Sequence, residues 1–115
     1  MAQAIDRDEH VARFRAEVLP RLVERFRPAR VLVFGSRARG DALQESDLDV
    51  LVVADAFRDV PWLERAARVY RECDIRQPVE LLCYTPEEYA RKRGELGIVR
   101  AASEEGVDLL AGEGR

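Results

Sequence analysis

The stretch that decides the fold is residues 35–50, GSRARGDALQESDLDV, which lies between two apolar runs. The run before it is VLVF at residues 31–34, and the run that continues from its end is VLVV at residues 50–53. Both runs are short and rich in β-branched residues, which favours buried strands over helices. The pattern therefore predicts two core strands, over residues 31–34 and 48–53, joined by a polar, glycine-containing connection.

Chemically useful side chains stand at both ends of this connection. Residues two apart on a strand point to the same face, so Asp47 and Asp49 are expected to project together. Paired carboxylates are hard oxygen ligands of the kind that suit Mg²⁺. At the other end, Gly35 and Ser36 lie where a strand passes into a helix N-terminus, a place that suits phosphate. A phosphate-binding turn beside metal-binding carboxylates indicates chemistry on nucleotides.

The composition describes one ordinary globular domain over residues 1–115. The chain is 47% hydrophobic and 36% charged, which is typical of a folded protein and not of a disordered one. The formal net charge is −3, whereas a general nucleic-acid binder normally has a basic excess. No nucleic-acid partner is therefore indicated.

The two cysteines and the apolar segments bear on location. Cys73 and Cys83 lack the spacing of metal ligands, so we interpret them as reduced packing residues. No apolar stretch approaches the roughly 20 residues needed to span a bilayer. The acidic, polar N-terminal segment is unlike a signal peptide. We expect a cytoplasmic protein with no membrane partner.

The remaining elements complete an α+β domain, that is, a mixed α/β sheet of three to four strands with flanking helices. The predicted elements are an amphipathic helix over residues 6–26 that Pro20 kinks or splits, a helix from about 61 to 74, a strand over 79–84, a helix capped by Thr85, a helix over about 96–105, and a short strand or apolar tail at 107–110.

With these residues in hand, the chain resembles a minimal nucleotidyltransferase of the DNA polymerase β-like superfamily. The family pattern is Gly-Ser, a spacer of about ten residues, and Asp-x-Asp in an apolar strand; here GSRARG and SDLDVLV match it. The later segment VELLCYTPEEY also resembles the family, so the likeness covers nearly the whole chain. The third carboxylate of the family falls on Glu80, where many members have Asp.

The resemblance implies transfer of a nucleoside monophosphate, AMP from ATP, with release of pyrophosphate. It implies that Asp47 and Asp49 hold one or two Mg²⁺ ions, with Mn²⁺ as the alternative. It assigns Glu80 as a ligand of the second ion and a general base. The alternative interpretation of Glu80 is a solvated strand residue.

The resemblance also implies a binding site for the phosphates of the nucleoside triphosphate. Gly35 and Ser36 would hold the terminal phosphates, while Arg37 and Arg39 would offset the charge of the leaving pyrophosphate through forked hydrogen bonds. The alternative interpretation of both arginines is a pair of surface charges facing Asp41 and Glu45.

Minimal nucleotidyltransferases of this type resemble antitoxins of small helical HEPN-domain toxins. The resemblance suggests that this chain transfers AMP to a tyrosine of such a partner and thereby silences its RNase activity. A second hypothesis is a non-catalytic module that neutralises its partner by binding. A third, an aminoglycoside-type enzyme acting on a small molecule, is less favoured because no acceptor-binding domain is expected after the core.

Overall fold

The computed structural model describes residues 4–43 and 45–111. The α-helices are α1 (Glu9–Glu17), α2 (Leu19–Phe26), α3 (Ser36–Arg39), α4 (Trp62–Glu72), α5 (Pro86–Lys92) and α6 (Ile98–Glu105), and the strands are β1 (Arg30–Phe34), β2 (Leu48–Val53), β3 (Val79–Tyr84) and β4 (Val107–Asp108). Two single 3-10 turns, Ala4–Arg7 and Asp55–Phe57, precede α1 and α4. Within the described ranges, none of the helices has the length and apolar character that a membrane span requires.

The four strands form one mixed sheet in the order β3-β2-β1-β4. Strand β1 runs antiparallel to both β2 and β4, whereas β2 and β3 are parallel. The C-terminal end of β1 and the N-terminal ends of β2 and β3 consequently lie at the same end of the sheet. The predicted α+β fold with a small mixed sheet is confirmed.

Helices cover both faces of the sheet. Along β2, Val50 and Val52 belong to the core cluster that includes residues of α1, α2 and α4. Leu51 and Val53 belong to a second cluster with residues of α5 and α6. This double burial explains why β2 is a continuous apolar run instead of an alternating one.

The predicted N-terminal helix is split, as its proline indicated. Helix α1 ends at Glu17, and α2 begins at Leu19 with Pro20 in its first turn. A proline is tolerated there because the first amides of a helix have no partner within it.

The cysteines also match their prediction: Cys73 and Cys83 are buried and free, and burial raises the pKa of Cys83 to about 12.

A capping box fixes the start of α5. The Thr85 hydroxyl accepts a hydrogen bond from the Glu88 amide at 3.2 Å, and the Glu88 carboxylate accepts one from the Thr85 amide at 2.9 Å. We expect Thr85→Ala to lower the free energy of unfolding by about 1 kcal/mol, since it removes an N-cap acceptor. Urea unfolding measures this change. Thr85→Ser keeps the hydroxyl and is the control; equal losses in the two variants would contradict the capping role.

Candidate active site

The parallel register of β2 and β3 brings two carboxyl groups together. Asp49 pairs with Glu80 across the strands, and Glu80 lies close enough to contribute to the raised pKa of Asp49. The hydroxyl of Tyr70 secures the start of β3, because it accepts from the Val79 amide at 2.7 Å and donates to the Val79 carbonyl at 2.5 Å. Glu80 is exposed and Asp49 is partly buried, so the pair opens to solvent.

Asp49 lies close to the negative charges of two other carboxyl groups. Burial, followed by the charges of Glu80 and Asp47, raises the pKa of Asp49 above its ordinary value, while the charge of Arg39 opposes the rise. A bound cation between the carboxylates would reverse this effect, because it favours the ionised form.

The predicted trio of metal ligands is brought together in part. Asp47 lies one residue before β2, exposed, and acts on Asp49 by charge without a hydrogen bond. In residues 4–43 and 45–111, no three His, Cys, Asp or Glu side chains are gathered as a complete metal-binding group. The donor chemistry of Asp49 and Glu80 nevertheless fits a hard divalent cation such as Mg²⁺.

Gly35 packs closely against the side chain of Asp49. Its φ of +75° and ψ of −154° belong to a region that is essentially restricted to glycine. A Cβ atom at this position would lie 2.3 Å from Oδ2 of Asp49. The glycine is therefore needed for both its conformation and its small size. Ser36 begins α3 directly after it, so the turn and the carboxyl pair are neighbours.

Arg39 is an exposed cation near the carboxyl groups. Its Nε lies 3.3 Å from Oδ2 of Asp41, and its Nη1 lies 3.6 Å from Oε1 of Glu105. Since its charge also lowers the pKa of Asp49, the Arg39 guanidinium lies within electrostatic range of the site. That Arg39 contacts phosphate stays a prediction.

Arg37 is directed into the protein. Its side chain is 6% exposed, its Nη1 donates to Oδ2 of Asp8 at 2.8 Å, and its Nε and Nη2 donate to the Ser46 carbonyl at 3.1 and 2.7 Å. Sequence reasoning missed Asp8 altogether. Its place before α1 marks an N-cap, but nothing in the sequence links it to an arginine 29 positions away.

Comparisons with known proteins identify the family and support the fold. A family model described as "Nucleotidyltransferase domain" matches residues 15–109, a range that contains all seven predicted site residues. A crystal structure described as that of a candidate nucleotidyltransferase from Sulfolobus solfataricus is similar, with a TM-score of 0.64 and 26% sequence identity. The alignment covers 94% of this chain and 86% of that chain. A search of curated proteins gave no match.

Proposed function

Because the chain belongs to the nucleotidyltransferase domain family, we propose that it transfers AMP from ATP to a hydroxyl group of an acceptor. The observation that carries the proposal is the pairing of Asp49 with Glu80 across β2 and β3, directly beside the Gly35 turn. This pairing places two hard oxygen donors next to a helix start that suits phosphate.

The proposed reaction is an in-line displacement at the α-phosphorus of ATP. The acceptor oxygen forms the new bond to phosphorus, and the bond from that phosphorus to the bridging oxygen breaks, so pyrophosphate leaves with the electron pair. Glu80 accepts the proton of the attacking hydroxyl, a role that its exposed position at the strand start supports.

Asp47 and Asp49 would hold Mg²⁺, one ion or two, with Mn²⁺ as the alternative. When bound, such ions stabilise the attacking and leaving oxygens of an in-line displacement. The raised pKa of Asp49 supports this assignment. Burial and the neighbouring carboxylates disfavour the ionised form of Asp49, and a bound cation would offset that effect.

The Gly35–Ser36 turn and Arg39 would hold the terminal phosphates. The first amides of α3 have no carbonyl partner within the helix, so they are available as donors to phosphate oxygens. Arg39 adds a positive charge to this region, and its charge already lowers the pKa of Asp49.

The proposed acceptor is a tyrosine hydroxyl of a small helical HEPN-type partner, for which this chain would be the antitoxin. The family resemblance of the GSRARG and SDLDVLV segments supports this proposal. The exposure of Glu80 supports it further, since a macromolecular hydroxyl has to reach the general base from outside.

Radioactive labelling of the partner tests the acceptor. The purified chain is incubated with α-³²P-ATP and Mg²⁺, with and without the proposed HEPN-type partner, and the labelled residue is mapped by mass spectrometry. We expect one AMP on a partner tyrosine, no label with Glu80→Gln, and full label with the exposed-surface control Glu64→Gln. Label on this chain alone, or equal label with both variants, would contradict the proposal.

The second candidate is a non-catalytic module that neutralises its partner by binding. Two observations favour it: glutamate occupies position 80, and the described residues hold no complete three-ligand group. The variant Asp47→Asn/Asp49→Asn separates the hypotheses. If it forms the complex and neutralises the partner as the wild type does, catalysis is dispensable and the binding module is correct.

A further inference from the structure

A buried arginine ties the loop that leads to the carboxyl pair onto the first helix. The guanidinium of Arg37 makes hydrogen bonds to Asp8, to the Ser46 carbonyl twice, and to the Leu43 carbonyl at 3.4 Å. Since a guanidinium has five N–H groups in a fixed fork, these four contacts commit most of its donors to protein atoms.

Asp8 is itself fixed in place, so the arginine has a rigid anchor. Its Oδ1 caps α1 by accepting from the amides of His10 at 2.8 Å and Val11 at 3.2 Å, while its Oδ2 binds Arg37. Burial alone would raise the pKa of Asp8, but the hydrogen bonds from Arg37 and from the two amides hold it below its ordinary value. The carboxylate is therefore ionised at neutral pH and available to the guanidinium.

The other end of the arginine lies next to a proposed metal ligand. The Ser46 carbonyl belongs to the peptide group that joins Ser46 to Asp47, and both Nε and Nη2 of Arg37 hold it. Because a peptide group is planar, fixing this carbonyl also fixes the amide of Asp47 and the direction in which the chain enters β2.

We propose that Arg37 is a positioning residue that sets the place of Asp47 by clamping the Ser46–Asp47 peptide to Asp8. Its catalytic consequence rests on the function proposed above, whereas its effect on the loop does not. Arg37 acts on the nucleotide only through Asp47, in contrast to the direct phosphate contact that the sequence suggested.

Arg65 provides a matched control at the opposite end of the sheet. Its side chain is also 6% exposed. It donates to the Val60 carbonyl at 2.8 Å and the Cys83 carbonyl at 3.2 Å, and it pairs with Glu88 at 2.6 Å. Arg37→Lys and Arg65→Lys thus each keep a buried positive charge and each lose a fork of hydrogen bonds.

The experiment compares these two variants by amide hydrogen exchange, urea unfolding and nucleotidyl-transfer kinetics. In Arg37→Lys we expect faster exchange over residues 43–48 and a kcat reduced by about tenfold or more, as for lost supporting contacts at metal sites. We expect KM for ATP to change by less than about twofold, the pattern of a lost transition-state contribution. In Arg65→Lys we expect exchange over residues 43–48 to match the wild type.

Asp8→Asn tests the same inference with a gentler change. Asparagine is as good an N-cap as aspartate, so α1 is retained while the ion pair to Arg37 is lost. We expect the same pattern in weaker form, which keeps the inference testable if Arg37→Lys does not fold.

Three results would overturn the inference. One is a raised KM for ATP with unchanged exchange over residues 43–48, which would show direct phosphate binding by Arg37. Another is an equal loss of kcat, per unit of lost stability, in Arg37→Lys and Arg65→Lys. The last is unchanged exchange in both Arg37→Lys and Asp8→Asn. If the wild type transfers no label, the proposed function fails, and the exchange data still decide whether Arg37 holds the loop.

Discussion

Asp49→Asn is expected to remove nucleotidyl transfer and to leave a fold at least as stable as the wild type. A cation at such a site contributes several kcal/mol to charge stabilisation in the transition state. Since each 1.36 kcal/mol is a factor of ten, we expect the rate to fall by at least about a hundredfold. Single-turnover transfer of label from α-³²P-ATP measures this loss.

The stability half of this prediction follows from the crowding of carboxylates. The pKa of Asp49 is raised in the fold by burial and by Glu80 and Asp47. Folding is therefore favoured while the carboxyl group is protonated, and stability is lost as the pH rises from the unfolded value through the folded pKa. Asparagine keeps the shape without the charge, so the metal-free variant should have a Tm at neutral pH equal to or above that of the wild type.

Asp59→Asn is the matched control for this experiment. Asp59 is exposed and lies outside the site, so its variant should keep both the rate and the Tm of the wild type. An Asp49→Asn protein that transfers AMP normally would contradict the assignment of Asp49. An inactive Asp49→Asn protein with a Tm far below that of the wild type would contradict the predicted gain in stability and attribute the lost rate to unfolding.

Gly35→Ala is expected to lower activity far more than its cost in stability explains. The added methyl group would lie 2.3 Å from Oδ2 of Asp49, so the carboxyl group would have to leave its present position. The positive φ adds strain of about 1–3 kcal/mol for a residue other than glycine. Misplacing one ligand by about 1 Å is enough for a hundredfold loss of rate, and single-turnover kinetics with urea unfolding measure the two effects separately.

Gly97→Ala is the control that separates the effect of backbone strain from the effect of the clash with Asp49. Gly97 also has a positive φ, at +144°, but a Cβ there would meet nothing within 4 Å. We expect Gly97→Ala to lose stability from strain and to keep its rate per folded molecule. Equal rates per folded molecule in the two alanine variants would show that the contact between Gly35 and Asp49 has no catalytic importance.

The strands were predictable because their signals are local. The apolar runs at residues 48–53 and 79–84 were predicted with the bounds that β2 and β3 have. Strand β1 starts one residue earlier than predicted, at Arg30, because Arg30 pairs with Val53 of β2. The sequence predicts either a short strand or a docked apolar tail at residues 107–110, and only the pairing with Leu32 and Val33 shows that this segment begins with β4.

Helix ends were less exact, because packing decides them as much as capping does. The helix predicted over about residues 61–74 is Trp62–Glu72, and the one predicted over 96–105 is Ile98–Glu105. The start of α5 was predictable from Thr85, Pro86 and Glu88, because the capping box lies within four residues of the sequence.

The sequence predicts the proximity of the candidate site residues only in part. The period-two rule places Asp47 and Asp49 near each other, and their electrostatic interaction agrees with this. The pairing of Asp49 with Glu80 depends on a parallel register between strands that are distant in sequence. The inward direction of Arg37 depends on Asp8, and tertiary contacts of this kind leave no local pattern.

The transfer chemistry is tested most directly by two parallel reactions, one with ATP labelled at the α-phosphorus and one with ATP labelled at the γ-phosphorus. Both contain this chain, Mg²⁺ and the proposed HEPN-type partner, and both are repeated with Asp49→Asn. The proposed function predicts protein-bound label from the α-position only, with labelled pyrophosphate released from the γ-position and neither product with Asp49→Asn. Protein-bound label from the γ-position, or α-label that persists in Asp49→Asn, would contradict a nucleotidyl-transfer centre at Asp49 and Glu80.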